Sequence, residues 1–256
     1  MFRYFFEIAY KGTAYAGWQS QPNAIGVQQV VEEKLQLLFG TTVPITGSGR
    51  TDTGVHCEQQ FFHADLPVEI NTLQIKRKLN GLLPNDIAIK NVLPVHSTAH
   101  ARFDATLRSY EYRIVTEKNP LLQNLATYYF KPLQIENLNL AATLLLGEKD
   151  FSSFCKAHTD VAHFRCTVTN AHWKQKEDIL VFHISANRFL RGMVRALVGT
   201  MLDVGSGKTT IEQFNSILNA RNRKTAGMNA PPEGLFLTAV HYPENIFLNP
   251  KQPIHG

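Results

Sequence analysis

The period of the hydrophobic residues changes several times along this chain, and the order of those changes limits the fold more than any other feature of the sequence. Over residues 2–10, Phe2, Tyr4, Phe6, Ile8 and Tyr10 alternate with Arg3, Phe5, Glu7 and Ala9, the period of two that marks a β-strand. After Lys11-Gly12-Thr13, the residues Val27, Val31, Leu35 and Leu38 recur at helical spacing, and Gly40 ends a helix over 27–39. An extended segment at 43–45, a glycine-rich turn and a strand over 55–65 come next. Asn71 or Thr72 can cap a second helix that turns Ile75, Leu79 and Leu82 inward. A strand at 87–95 follows. Strand, helix, strand, strand, helix, strand predicts an α+β layer with helices on one face of a mixed sheet.

His100-Ala101-Arg102-Phe103-Asp104-Ala105 reads as a hinge, dividing the chain into an N-terminal domain over 1–104 and a C-terminal one over 105–256. Beyond it, 106–116 alternates again and puts Arg108, Tyr110, Tyr112 and Ile114 on one face, an echo of the opening strand. A connector rich in Leu and Tyr precedes a helix over 135–146, strands over 168–174 and 179–185, a helix over 187–204, another over 211–220 and a strand over 235–241. The 187–204 segment is the most suggestive. Its apolar stripe is Leu190, Val194, Leu197 and Met201, while Arg188, Arg191 and Arg195 share another face. Three arginines on one face repel each other unless anions lie nearby, so that face is expected to meet a phosphate or a carboxylate.

Composition sets the class of partner. The 256 residues, 44% hydrophobic and 18% charged, suffice for two folded cores, and the net charge of +5 favours a polyanion. No apolar run reaches transmembrane length, so no membrane is expected, and Met1-Phe2-Arg3-Tyr4 lacks the plan of a signal peptide. Three cysteines, Cys57, Cys155 and Cys166, make no disulfide framework, which points to the cytoplasm.

Chemistry concentrates in Gly47-Ser48-Gly49-Arg50-Thr51-Asp52-Thr53-Gly54-Val55-His56, where one carboxylate sits inside a tight, glycine-lined turn. Asp52 could simply close an Asx-turn. It could also serve as a covalent nucleophile, provided a cation and hydrogen bonds hold it charged. Other motifs fail on spacing. Val204-Gly205-Ser206-Gly207-Lys208-Thr209 resembles a phosphate loop, but Leu202 stands where that motif needs glycine, so a helix end and turn is expected. Cys155, His158, His163 and Cys166 offer four zinc-capable side chains at a spacing that matches no common zinc module, so no metal is expected. His56 and His63, seven apart on one strand, face opposite sides. Lys76, Arg77 and Lys78 read as a solvated helix face, with phosphate contact as the second reading.

Residues 49–56 closely resemble the catalytic signature of the tRNA pseudouridine synthases of the TruA family. Further matches are Ala14-Tyr15-Ala16-Gly17-Trp18-Gln19, Ala101-Arg102-Phe103-Asp104-Ala105, Arg108-Ser109-Tyr110-Glu111-Tyr112, Asp150-Phe151-Ser152-Ser153-Phe154 and 187–195. Cys57 stands where members usually carry alanine, a small-for-small change. The resemblance implies two ferredoxin-like (RRM-like) halves forming one extended mixed sheet, with helices on one face and the active cleft between the halves. It implies a homodimer acting on the tRNA anticodon stem-loop, at tRNA positions 38 to 40. Because isomerising uridine to pseudouridine donates no group and is redox-neutral, neither cofactor nor metal is implied.

By the same resemblance, Asp52 is the nucleophile, attacking the sugar's anomeric carbon or the base. Tyr110 packs on the uracil, Arg195 pairs with the carboxylate, and Arg50 fills the space of the flipped nucleotide. Arg102, Arg108, Arg188, Lys76, Arg77 and Lys78 are the expected tRNA contacts. Two rivals remain at this point: a non-catalytic RNA-binding module, and a zinc-dependent hydrolase built on 155–166.

Overall fold

The structure, a computed structural model, describes residues 1–156 and 162–248. The chain packs as two compact units, one made of Met1–Leu107 and the stretch from Leu237 onward, the other of Arg108–Phe236.

The first unit follows the predicted order: β1 (Phe2–Tyr10), α1 (Val27–Phe39), β2 (Ile45–Gly47), β3 (His56–Leu66), α2 (Thr72–Leu82) and β4 (Ile87–Pro94). Local chemistry sets the helix ends. Gly40, at φ +69°, closes α1 with its N–H on the Gln36 carbonyl, and the Asn71 side chain caps α2 by accepting from the Gln74 N–H. The second unit holds β5 (Leu107–Val115), β6 (Thr127–Tyr128), α3 (Ile135–Thr143), β7 (Gly147–Asp150), β8 (Arg165–Lys176), β9 (Ile179–Ala186), α4 (Met193–Gly205) and α5 (Ile211–Asn219). The chain leaves it along β10 (Leu235–His241), most of which belongs to the first unit.

In the first unit the strand order is β4-β1-β3-β10, with β2 paired to β3. β1 runs antiparallel to both neighbours, Phe6 opposite Phe62 on one side and Val92 on the other. Both faces of β1 are covered. Phe6 stacks on Phe62 with ring centroids 4.8 Å apart on one face. On the other, Phe5 meets Tyr242 and Phe247 edge-on at 5.1 and 6.3 Å, so the residues after β10 close the side that alternation leaves open. In the second unit the order is β5-β9-β8-β7, antiparallel throughout, with β6 parallel to β5. The architecture is α+β with mixed β-pairing.

One predicted element needs correction. The helix expected over 187–204 begins only at Met193, because Gly192 takes a left-handed φ of +71° at its N-cap. Ahead of it Asn187 is tied to β8, its N–H on the Thr167 carbonyl at 3.1 Å and its side chain accepting from the Thr167 N–H at 2.9 Å. Arg188 and Arg191 therefore lie outside the helix, and only Arg195 rides on it. The expected arginine-rich helix is an irregular segment tied to β8 at Asn187, a turn at 191–192 and then a helix carrying one of the three arginines.

Smaller differences concern α3, which ends at Thr143 rather than 146, and β6 and β7, two short strands that the sequence pattern does not mark. Gly147-Glu148-Lys149-Asp150 has no buried residue and hence no apolar alternation to read. The phosphate-loop lookalike is the turn after α4, as its spacing predicts. The N–H groups of Lys208 and Thr209 both bond the Asp203 carbonyl, and Lys208 Nζ pairs with the Asp203 carboxylate at 3.1 Å. Among the described residues no helix is long and apolar enough to cross a membrane.

Candidate active site

Asp52 sits on a turn between β2 and β3 whose shape comes from main-chain bonds. The Asp52 carbonyl accepts from the Val55 N–H at 3.1 Å, and Gly54 holds φ +79° at the third position, a left-handed conformation that favours glycine. The flanks are buried, with Ser48, Thr51, Val55 and His56 at 8% exposure or less. Asp52 is half-buried and Arg50 exposed. The carboxylate thus sits on a fixed turn between a buried frame and solvent.

The frame comes from a segment that the sequence reading matched as a motif but gave no role. Residues 12–19 run alongside the Asp52 turn in main-chain contact. The Trp18 N–H donates to the Thr51 carbonyl at 3.3 Å, and the Gly54 N–H donates to the Tyr15 carbonyl at 3.2 Å. The Gly12 N–H donates to His56 Nδ1 at 3.1 Å, which requires a lone pair there. Gly17, at φ +85°, lies so near that a Cβ would stand 2.2 Å from the Thr51 carbonyl oxygen. Trp18, 2% exposed, packs between Tyr10 and Phe62 at 6.2 and 6.0 Å. Tyr15 fastens the far end through a 2.6 Å bond to Asp86. Burial, reinforced by that carboxylate, raises the Tyr15 pKa and keeps the phenol a donor.

A second set of bonds reaches the turn from the sheet. The Tyr10 hydroxyl donates to Gln60 Oε1 at 3.2 Å and, its one proton so used, accepts from Thr51 Oγ1 at 2.9 Å. Gln60, fully buried on β3, donates its amide to the Gly49 carbonyl at 3.2 Å. The Ser48 N–H reaches the Phe61 carbonyl at 2.7 Å. The only sequence trace of this network is a tyrosine and a glutamine of ordinary appearance on two strands.

In the second unit, Tyr110 is half-buried in the middle of β5, opposite Ile184 of β9. Phe189, from the segment before α4, meets its ring edge-on at 5.0 Å. Tyr112, two residues on, is fully buried and structural, bonding Thr127 Oγ1 at 2.7 Å and the Pro231 carbonyl at 2.8 Å. Burial pushes its pKa up. Arg195, half-buried on the first turn of α4, is bound twice to Ala230: Nε donates to the Ala230 carbonyl at 2.7 Å, and the Ala230 N–H returns to the Arg195 carbonyl at 2.9 Å. The segment carrying Ala230 is itself shaped by Arg223, whose guanidinium holds the carbonyls of Ala226 and Gly227 and the side chain of Asn229.

The remaining expected contacts are scattered. Arg77, Lys78 and Arg102 are exposed, and Lys76 is half-buried. Arg108 donates to the Asn187 carbonyl at 2.8 Å, and Arg188 lies 3.5 Å from the His163 ring. Of the four zinc-capable residues, His158 falls outside the described residues. Cys155 and Cys166 are buried thiols, and burial pushes Cys166 up to about 12. Among the described residues no three His, Cys, Asp or Glu side chains cluster in a metal-binding arrangement.

Comparison with known proteins gives a consistent result. A family described as tRNA pseudouridine synthase matches residues 8–104 and 141–243. The tRNA pseudouridine synthase A of Parabacteroides distasonis is 47% identical over 248 residues, 96% of this chain and 98% of the relative. That of Porphyromonas gingivalis is 44% identical over 97% of this chain and the whole of the relative, and that of Bacillus subtilis 38% identical over 92% and 97%.

Proposed function

Since the chain belongs to the tRNA pseudouridine synthase family, we propose that it isomerises uridine to pseudouridine in tRNA, with Asp52 as nucleophile and Tyr110, Arg195 and Arg50 serving the target nucleotide. The bond from the ribose C1′ to N1 of uracil breaks, and one from C1′ to C5 forms. The C5 proton leaves and N1 takes one up, so atoms balance with no donated group. The Asp52 carboxylate forms the covalent link to the nucleotide that lets the base turn. Tyr110, braced edge-on by Phe189, packs on the uracil and takes part in removing the C5 proton. A guanidinium beside a carboxylate favours its charged form, the role we assign to Arg195. Arg50, exposed two residues before the nucleophile, fills the stack left by the flipped nucleotide, whose unstacking costs on the order of a few kcal/mol.

The observation that carries this reading is the Asp52 turn, held from 12–19 and from Gln60 by bonds that leave it one shape. The motif resemblance supports target uridines in the anticodon stem-loop, a homodimer and a cytoplasmic site of action. It also supports a division of labour between residues 1–104, with the nucleophile, and 105–256, with Tyr110 and Arg195. The alternative of a non-catalytic RNA-binding module is set aside, because the similarity to named synthases runs along 96% of the chain.

The test is release of tritium from C5-labelled uridine in a tRNA transcript. Wild type should release it, whereas Asp52→Asn should release none while still binding tRNA. Release by Asp52→Asn at the wild-type rate would remove Asp52 from the chemistry.

A further inference from the structure

Residues 100–104 form a single turn in which five successive N–H groups are all bonded. Asp104 Oδ2 accepts from the His100 N–H at 2.7 Å, and the Ala101 N–H donates to Nδ1 of buried His63 at 3.2 Å. His100 Nδ1 accepts from the N–H groups of Arg102 and Phe103 at 3.1 and 3.3 Å, and the Asp104 N–H returns to the His100 carbonyl at 3.1 Å. This is the reciprocal logic of a capping box, here built from histidine and aspartate. The Ala101 carbonyl is also engaged, by the Tyr242 hydroxyl at 2.6 Å. Burial, with the charges of Arg3 and His100, holds the His63 pKa down to about 4, so its acceptor persists at neutral pH.

This pedestal holds Arg102 and Phe103 toward solvent. Phe103 is 73% exposed, with the Arg102 guanidinium 5.6 Å from its ring centroid and the His100 ring 4.3 Å away. A single exposed apolar side chain is ordinary. A fixed aromatic ring paired with a cation is different, because it matches an unstacked nucleobase and its phosphate: every base has a π-face to stack, and the guanidinium meets the anion. The net charge of +5 suits the same partner.

We propose that Phe103 and Arg102 form a tRNA contact of their own, an unpaired base of the substrate stacking on the ring while the guanidinium pairs with an adjoining phosphate. The inference rests on tRNA being the substrate. Stacking of one base predicts that Phe103→Ala raises KM for full-length tRNA about 5- to 150-fold, with the loss falling on KM rather than kcat. Phe103→Leu, apolar without a π-face, should lose as much, and Phe103→Trp should recover most of it. The two native tryptophans, Trp18 and Trp173, are 2% and 4% exposed, so the indole of the Phe103→Trp variant supplies a solvent-sensitive signal that tRNA should quench.

Full KM recovery in Phe103→Leu, an unaltered KM in Phe103→Ala, or indole emission unmoved by saturating tRNA would each overturn the proposal. So would a change in sedimentation of Phe103→Ala with tRNA affinity intact, since the ring would then face another copy of the chain. The two readings fail separately. Quenching by tRNA in a protein that releases no tritium keeps the contact and removes the reaction, whereas wild-type turnover matched by Phe103→Ala removes the contact alone.

Discussion

Tyr10→Phe tests whether the buried network holds the Asp52 turn. The substitution deletes one oxygen from a side chain 4% exposed and leaves the ring in place against Trp18. Gln60 Oε1, in a fully buried residue, loses the donor at 3.2 Å, and Thr51 Oγ1 loses the acceptor at 2.9 Å. Leaving a buried polar atom without its partner costs about 1–3 kcal/mol. Thr51 can turn its hydroxyl, so the Gln60 loss dominates and about 2 kcal/mol is the working figure.

That energy should appear locally. Opening of the 48–56 turn by about 2 kcal/mol corresponds to roughly 30-fold faster amide exchange there, at the Val55 and Gly54 N–H groups above all. Peptides from α5, in the other unit, should keep their wild-type rates, which separates a loosened turn from a destabilised protein. Turnover should fall with it, because on the proposed mechanism Asp52 is the nucleophile, and displacing it lowers rate before binding. A double variant, Tyr10→Phe with Gln60→Leu, should cost less than the sum of the two single changes, since they share one bond. Exchange over 48–56 raised by less than about threefold, under about 0.7 kcal/mol, would refute the view that this network holds the turn.

Two further substitutions probe the same unit. Gly17→Ala forces a side chain into a left-handed backbone at φ +85° and sets Cβ 2.2 Å from the Thr51 carbonyl oxygen, so kcat should drop at least about tenfold with tRNA binding kept; normal turnover would show that the two segments move together freely. His63 has a folded-state pKa of about 4 against 6.5 unfolded, so its contribution is full above pH 6.5 and is lost as pH falls from 6.5 through 4, to a ceiling of about 3 kcal/mol. Urea midpoints for wild type and His63→Gln should converge across that window, and parallel pH profiles would remove His63 as the cause.

What could be read from sequence was what short-range spacing encodes. β1, α1 with Gly40, and α2 with its Asn71 cap all declare themselves within a dozen residues. Gly192 did not, because a glycine inside a helical pattern costs only about 1 kcal/mol and periodicity runs straight over it. Only its left-handed φ shows that Arg188 and Arg191 stand outside α4. The bracing of Asp52 was equally hidden. Gly17 meets Thr51, and Tyr10 meets Gln60, across separations that leave no periodic trace. The aspartate could be found from its motif, but the means of holding it could not.

The two kinds of residue should therefore separate in kinetics. On the mechanism proposed above, Asp52 is aimed at one atom of a bound nucleotide and tolerates little displacement, since misplacement by about 1 Å can cost on the order of 100-fold. Tyr10, Gly17 and Gln60 fix that aim from the buried side of the turn, so their losses belong in kcat. Arg102 and Phe103 stand on a separate turn whose N–H groups are satisfied without the Asp52 segment, so their losses belong in KM. Tyr10→Phe combined with Phe103→Ala should then be additive in free energy, since the two sites share no bond described above. Coupling above about 0.5 kcal/mol would mean that the 100–104 turn and the Asp52 turn respond to tRNA as one element.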